Sequence, residues 1–178
     1  MDETAAWAFD ANVHAWWVKP GLLAGEYPGA RSPAKAERKL RLLMLNGVDS
    51  FVDLTTPMDG QASYREDMEL AAQITGRQIR HFAHPIPGMG VVDHDGYDRI
   101  IARIRGEIAD GRVVYLHSWR GKGRTSTVVG CLLIDDGLDN ESAIVRIAEL
   151  RAGTSKAIDP SPESAAQHQL LRERAARR

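Results

Sequence analysis

Cysteine is almost absent from this sequence, since Cys131 is the only one among 178 residues. A disulfide within the chain is therefore impossible, which is typical of proteins in a reducing compartment. Apolar runs long enough to cross a bilayer are missing as well. The first residues are acidic and lack the basic start and apolar run of a signal peptide. We therefore expect a cytoplasmic protein without a membrane-spanning segment.

Neither sign of charge is in excess, because 23 Lys and Arg residues face 24 Asp and Glu residues, for a net charge of −1. This balance gives no reason to expect a nucleic acid or a membrane surface as partner. Zinc-ligand spacing is also missing from the histidines, so we expect no metal. The apolar fraction of 43% suffices for one core. We predict a single domain over 1–178, with 1–20 as an N-terminal arm.

Helical and strand-like segments alternate along the chain, which predicts an α/β fold. Ser32 and Pro33 have the positions of an N-cap and a first helical residue. In chain order we predict a hairpin over 16–24, a helix ending at Gly47, a strand at 48–54, a helix at 61–75, a second central strand at 78–83, a helix at 96–109, a strand at 112–116, and helices at 125–136, 140–151 and 162–175. The order predicts a small, largely parallel sheet with helices on both faces.

The strand at 112–116 runs directly into a glycine-rich loop, and a helix begins after it, in the sequence VVYLHSWRGKGRTSTVVG. Main-chain amides of such a loop, with the N-terminus of the next helix, favour an anion. Gly121 and Gly123 allow the backbone to approach a ligand closely. Arg124 can bind two phosphate oxygens with its planar guanidinium. The segment therefore predicts a phosphate site.

This segment resembles the signature of cysteine-based tyrosine and dual-specificity phosphatases, which is His-Cys, two residues, Gly, two residues, Arg, then Ser or Thr. Four positions match: His117, Gly121, Arg124 and Thr125. The stretches GLLAGEYPGA, VDSFVDLT, HPIP and DPSPESAAQ also resemble a bacterial branch of that family. The resemblance implies a phosphatase-type loop between strand and helix, with a phosphorylated protein or small phosphomonoester as partner and no cofactor.

The resemblance also implies a role for each matching residue. His117 would hold the loop conformation, and Arg124 would bind the phosphate and stabilise the transition state. Thr125 would interact with the sulfur that the family carries at position 118. The expected phosphate-binding set is Ser118, Trp119, Arg120, Gly121, Lys122, Gly123 and Arg124. We expect Arg120 and Lys122 to add positive charge at the rim, which would favour a more highly charged ligand.

Ser118 stands where the family has its cysteine nucleophile. A serine hydroxyl does not ionise near neutral pH as an activated thiol does, so we expect this chain to bind phosphate without turning it over. Two explanations stay open at this point. Ser118 is either an engineered change that traps substrate or a natural feature of a pseudophosphatase that reads phosphate as a binding module.

Gly88, in HPIPGMG, stands where the family usually has an aspartate as general acid, and glycine cannot donate a proton. Asp93 is our first candidate for a substitute, because it follows in the same predicted loop. Two further residues carry two interpretations each, and a third carries one. Asp53 either lines the site or caps a turn, Gln167 either positions water or lies on the surface, and Cys131 is expected as a buried structural thiol.

Overall fold

The computed structural model describes residues 5–177, so the first four residues of the predicted arm lie outside the described part of the chain. The chain enters the sheet through a hairpin of β1, Ala15–Lys19, and β2, Leu22–Gly25. The two strands pair antiparallel, and Gly21 lies in the turn with a φ of 84°. The predicted hairpin is therefore present, and it takes the last residues of the predicted arm into the sheet.

Three more strands complete a five-stranded sheet: β3, Val48–Asp53; β4, Arg80–Ala83; and β5, Val113–His117. The spatial order is β1-β2-β5-β3-β4, and every pair except the opening hairpin is parallel. The predicted largely parallel sheet is confirmed. The prediction of 78–83 as a central strand was wrong, because β4 pairs only with β3 and its end residues are exposed at the sheet edge.

Six helices surround the sheet in the described part of the chain, residues 5–177. They are α1, Pro33–Leu45; α2, Arg65–Thr75; α3, His94–Ala109; α4, Gly123–Asp135; α5, Asn140–Arg151; and α6, Ala165–Ala176. Strand side chains alternate between two cores. Leu116 belongs to the core shared with α3 to α6, and Tyr115 to the core shared with α1 and α2. Helices therefore cover both faces, as the sequence predicted.

Side-chain caps mark the starts of α3 and α6, whereas α2 begins without one. A short 3-10 turn at Pro57–Asp59 precedes α2, which begins four residues later than predicted. Asp93 caps α3, and Ser164 caps α6 in a capping box with Gln167. Within residues 5–177, no helix is both long and apolar enough to cross a membrane.

Candidate phosphate-binding site

The loop between β5 and α4 lies against the segment that follows β2. Gly121 has a φ of 72°, and a Cβ there would lie 2.5 Å from the carbonyl carbon of Gly25. The Tyr27 amide donates to the Trp119 carbonyl over 2.9 Å. The stretch GLLAGEYPGA thus holds the back of the loop by main-chain contact, which explains why glycine is needed at position 121.

His117, at the end of β5, is fully buried behind the loop. Its Nδ1 lies 3.2 Å from the Ser118 carbonyl oxygen, and its Nε2 lies 2.7 Å from the Tyr64 hydroxyl. Because a carbonyl only accepts, the ring proton is on Nδ1 and Nε2 accepts from Tyr64. Burial lowers the pKa of His117 to about 4, although the nearby Asp53 charge opposes that shift. The ring is therefore neutral and engaged with groups other than the Ser118 hydroxyl.

Ser118 lies on the floor of a cavity of about 370 Å³. Its hydroxyl is buried and lies 2.8 Å from Thr125 Oγ1. The cavity is lined by Asp59, Gly88, Met89, Ser118, Trp119, Arg120, Lys122, Gly123, Arg124 and Glu163. Six of the seven residues predicted to bind phosphate line it, and Gly121 instead supports the loop from behind.

Arg124 points across this cavity and is paired with Asp59, a residue that the sequence analysis did not single out. Its two terminal nitrogens lie 2.9 and 2.7 Å from the two carboxylate oxygens of Asp59, and one also donates to the Ile86 carbonyl. Burial works to raise the pKa of Asp59, but the Arg124 guanidinium and the Thr56 amide together hold it below its usual value. The order Thr-Pro-x-Asp after a buried strand was the available signal, since it is typical of a capped turn beside a ligand site.

Asp93 lies elsewhere. Its carboxylate accepts the Gly96 amide at 2.7 Å as the cap of α3, and it lines a separate cavity beside His84 and Arg99. The expectation that Asp93 reaches the phosphate site therefore finds no support in the geometry, because capping directs its side chain to its own helix. Gly88 does line the cavity that holds Ser118, but it brings no side chain there.

The two basic residues expected to enrich the rim are already partnered. Lys122 Nζ lies 3.1 Å from an Asp159 oxygen and 3.6 Å from a Glu163 oxygen. The Arg120 guanidinium stands over the Trp119 ring, 4.8 Å from its centre. The charge of Lys122 is thus compensated within the chain, whereas Arg120 is exposed and rests on an aromatic ring that leaves its charge in place.

Asp53 caps the turn after β3, since it accepts the amide and the hydroxyl of Thr55 at 2.9 and 2.6 Å. Burial works to raise its pKa, but hydrogen bonds from His81 and from Thr55 hold that pKa well below its usual value. Asp53 is not among the residues that line the cavity holding Ser118. The turn-capping interpretation is the one that the structure supports.

Gln167 is fully buried, so its interpretation as a surface residue was wrong. Its Oε1 accepts the amides of Glu163 and Ser164, and a Cβ added to Gly123 would lie 2.9 Å from the amide end of its side chain. Gln167 thus fixes the start of α6 against the loop. Cys131 is buried within α4, as expected, and burial raises its pKa to about 12.

This arrangement defines the class of the cysteine-based phosphatases. A central parallel strand leads into a loop, and the helix that follows the loop carries a buried arginine in its first turn. Within that class the chain belongs to the PTP-SAK family, described as Swiss Army Knife protein, DSP-PTPase phosphatase domain, whose model matches residues 13–177.

Solved structures with the same fold cover nearly the whole chain. Tk-PTP in its active form is 20% identical, with a TM-score of 0.72 over 92% of this chain and 97% of that chain. Kinase associated phosphatase with its catalytic site cysteine changed to serine is 20% identical, with a TM-score of 0.69 over 93% and 97%. P. aeruginosa TpbA, as a cysteine-to-serine variant in complex with pTyr, is 17% identical, with a TM-score of 0.63 over 99% of each chain. At these identities the likeness establishes the fold.

Proposed function

We propose that this chain binds phosphomonoester groups, protein phosphotyrosine among them, in the loop at 117–125 and does not hydrolyse them. The observation that carries the proposal is the Ser118 hydroxyl, which lies on the cavity floor with the neutral Thr125 hydroxyl 2.8 Å away. A hydroxyl becomes a useful nucleophile only beside a general base. His117 has both ring nitrogens engaged elsewhere and cannot take that role.

Binding needs no nucleophile, because the groups that hold a phosphate are main-chain amides and Arg124. Gly123 opens α4, so the loop presents the free amides of a helix N-terminus to the cavity. A cysteine-to-serine variant of TpbA was crystallised in complex with pTyr, which supports retained binding in a fold of this kind. Serine in place of cysteine changes the volume of the floor little, so this chain should keep the same capacity.

The test is a calorimetric titration with inorganic phosphate and with a phosphotyrosine peptide, paired with an assay for released phosphate. We expect saturable binding of both ligands and no release. Arg124→Met should weaken binding at least 30-fold, since it removes a charged two-point contact worth on the order of 2–3 kcal/mol. Arg99→Met, on the exposed side of the other cavity, is the matched control. Steady phosphate release, or binding indifferent to Arg124→Met, would refute the proposal.

A natural binding module is favoured over an engineered trap by a second feature of the cavity. Gly88 lines it without a proton donor, and Asp59 is held ionised on Arg124. In the ligand-free cavity, a nucleophile and an unpaired acid are thus both missing from the residues that line it. Such a module would act by shielding a phosphorylated group on a partner.

Restoring the thiol separates the two explanations. Ser118→Cys should leave aryl phosphate hydrolysis slow if the site has lost its acid as well as its nucleophile. Rapid hydrolysis after this single change would instead favour a catalytic cavity with only its nucleophile removed. Phosphate binding by the variant serves as the folding control.

A further inference from the structure

Hydrogen bonds from outside the cavity hold the carbonyl groups of the loop between β5 and α4. Four of these carbonyls accept from residues that do not line the cavity. The pairs, donor first, are His117 Nδ1 with Ser118 at 3.2 Å, the Tyr27 amide with Trp119 at 2.9 Å, Lys156 Nζ with Arg120 at 3.4 Å, and Ser161 Oγ with Lys122 at 2.9 Å. The last two donors lie on one segment, which connects α5 to α6.

The direction of a carbonyl fixes the direction of the amide that shares its peptide. In a planar trans peptide, the C=O and the N–H of the next residue point opposite ways. Within residues 5–177 the cis peptide bond is Ser161-Pro162, so the peptides of the loop are trans. The five amides from Trp119 to Gly123 donate to no acceptor in that part of the chain. Donors behind the loop therefore leave these amides free for an anion on the other side.

Ser161 holds the carbonyl at the start of α4. Its one hydroxyl proton goes to the Lys122 carbonyl, because a carbonyl only accepts. Ser126, fully buried in the first turn of α4, therefore donates its own hydroxyl proton to Ser161 Oγ. The Ser161 hydroxyl is thus oriented by both neighbours. The amide that it turns away is that of Gly123, a residue that lines the cavity.

The segment that carries Ser161 is itself fastened at several points. The Arg151 guanidinium, on a residue only 2% exposed, donates to the carbonyls of Lys156 and Asp159 at 2.9 and 3.1 Å. The Asp159 carboxylate in turn lies 3.1 Å from Lys122 Nζ. Ser161 follows two residues later, so these contacts keep it from moving away from the loop.

Resting on the proposed function, we infer that Ser161 is a positioning residue for the bound phosphate. It does not line the cavity and acts through the Lys122-Gly123 peptide, whose amide it directs toward the anion. Without the Ser161 hydroxyl, the Lys122 carbonyl keeps only the Ser126 amide, at the longer distance of 3.3 Å. The peptide then has more freedom to turn its amide away, and binding must restore the lost order.

The experiment measures the affinity for inorganic phosphate by calorimetry. We expect Ser161→Ala to weaken binding about fivefold, the equivalent of one neutral hydrogen bond. No charge changes in this variant, so a loss of electrostatic attraction cannot cause the effect. Ser161→Thr keeps the hydroxyl and should retain the affinity. Thr154→Val is the matched control, because Thr154 Oγ1 donates over 2.9 Å to the Arg151 carbonyl on the same segment, away from the loop.

Proton–nitrogen NMR spectra add a readout that a general loss of stability would not change. Saturating phosphate should shift the Gly123 amide signal strongly in the wild-type chain and less in Ser161→Ala, while the Arg120 amide shifts equally in both. Three results would each overturn the inference: an unchanged affinity in Ser161→Ala, an equal loss in Ser161→Thr, or an unchanged Gly123 shift.

Phosphate binding by the wild-type chain tests the proposed function separately. If the wild-type chain binds phosphate and Ser161→Ala binds it equally well, only the role of Ser161 is refuted. If the wild-type chain does not bind phosphate, the proposed function fails and the role of Ser161 fails with it.

Discussion

Asp59 places its two carboxylate oxygens 2.7 and 2.9 Å from the terminal nitrogens of Arg124, in the two-point geometry that a phosphate would use. Both side chains are almost fully buried. The carboxylate belongs to a short 3-10 turn, where it also accepts the Thr56 amide at 2.8 Å. The ligand-free site is thus satisfied by an internal anion, and binding a phosphate must compete with Asp59.

Removing that competitor should strengthen phosphate binding. We expect Asp59→Asn to raise the affinity for inorganic phosphate about tenfold, equivalent to about 1.4 kcal/mol, as measured by calorimetry. The asparagine keeps the size of the side chain but loses the charge that neutralises Arg124. Asp93→Asn, the control, should leave the affinity unchanged because Asp93 caps α3 beside another cavity. Weaker binding by Asp59→Asn would show that the carboxylate supports the site rather than competing for it.

Asp59 is also the carboxyl group best placed to donate a proton once a thiol is restored. Phosphate bound to Arg124 would remove the partner that lowers the Asp59 pKa and would place negative charge beside it. In a Ser118→Cys background, we expect whatever aryl phosphate hydrolysis remains to fall about 100-fold further with Asp59→Asn. The companion variant Asp93→Asn should not change kcat. If Asp93→Asn causes the 100-fold fall in hydrolysis instead, Asp93 is the general acid, as the sequence analysis expected.

Gly121 should be irreplaceable, because a side chain there meets main chain on the adjoining segment. Alanine would combine a left-handed φ of 72° with a Cβ 2.5 Å from the Gly25 carbonyl carbon. We expect Gly121→Ala to cost about 3 kcal/mol of unfolding free energy and to abolish phosphate binding. Gly111→Ala, with a φ of 80° and open space around it, should cost only about 1 kcal/mol. Urea unfolding measures the loss of unfolding free energy in both variants. Equal losses would show that the contact with Gly25 does not restrict position 121.

Acid should destabilise the fold through His117. Its folded pKa of about 4 lies below that of an unfolded histidine, roughly 6.5, so the unfolded chain binds more protons between these values. This contribution is complete above pH 6.5 and is lost as the pH falls toward 4. Between pH 6.5 and 5 we expect a loss of roughly 2 kcal/mol in unfolding free energy.

Two variants separate this effect from general acid instability. His117→Asn should flatten the slope of unfolding free energy against pH in that window. Tyr64→Phe removes the hydrogen bond to His117 but keeps the buried ring, so it should lower stability and retain the slope. A slope unchanged by His117→Asn would assign the acid sensitivity to other groups.

Local signals were enough to predict most of the architecture. Short runs rich in apolar, β-branched and aromatic residues placed β3 and β5, and the Ser32-Pro33 start placed α1, because these patterns depend on nearest neighbours along the chain. The position of β4 was mistaken for a central one, since an apolar segment does not reveal how many strands it pairs with. The turn at Pro57–Asp59 was missed because three residues are too few to show a period.

By itself the sequence determined that a strand, a glycine-rich loop and a helix would follow one another at the candidate site, and that serine would stand at the start of that loop. These features are contiguous, so their chemistry follows from order along the chain. Only the tertiary structure decided that Asp59 reaches Arg124 and that Asp93 does not, or that Lys122 is paired with Asp159 and Glu163. Such pairings join residues tens of positions apart. Asp59 meets Arg124 because the parallel strands β3 and β5 bring the segments at their carboxyl ends to one edge of the sheet.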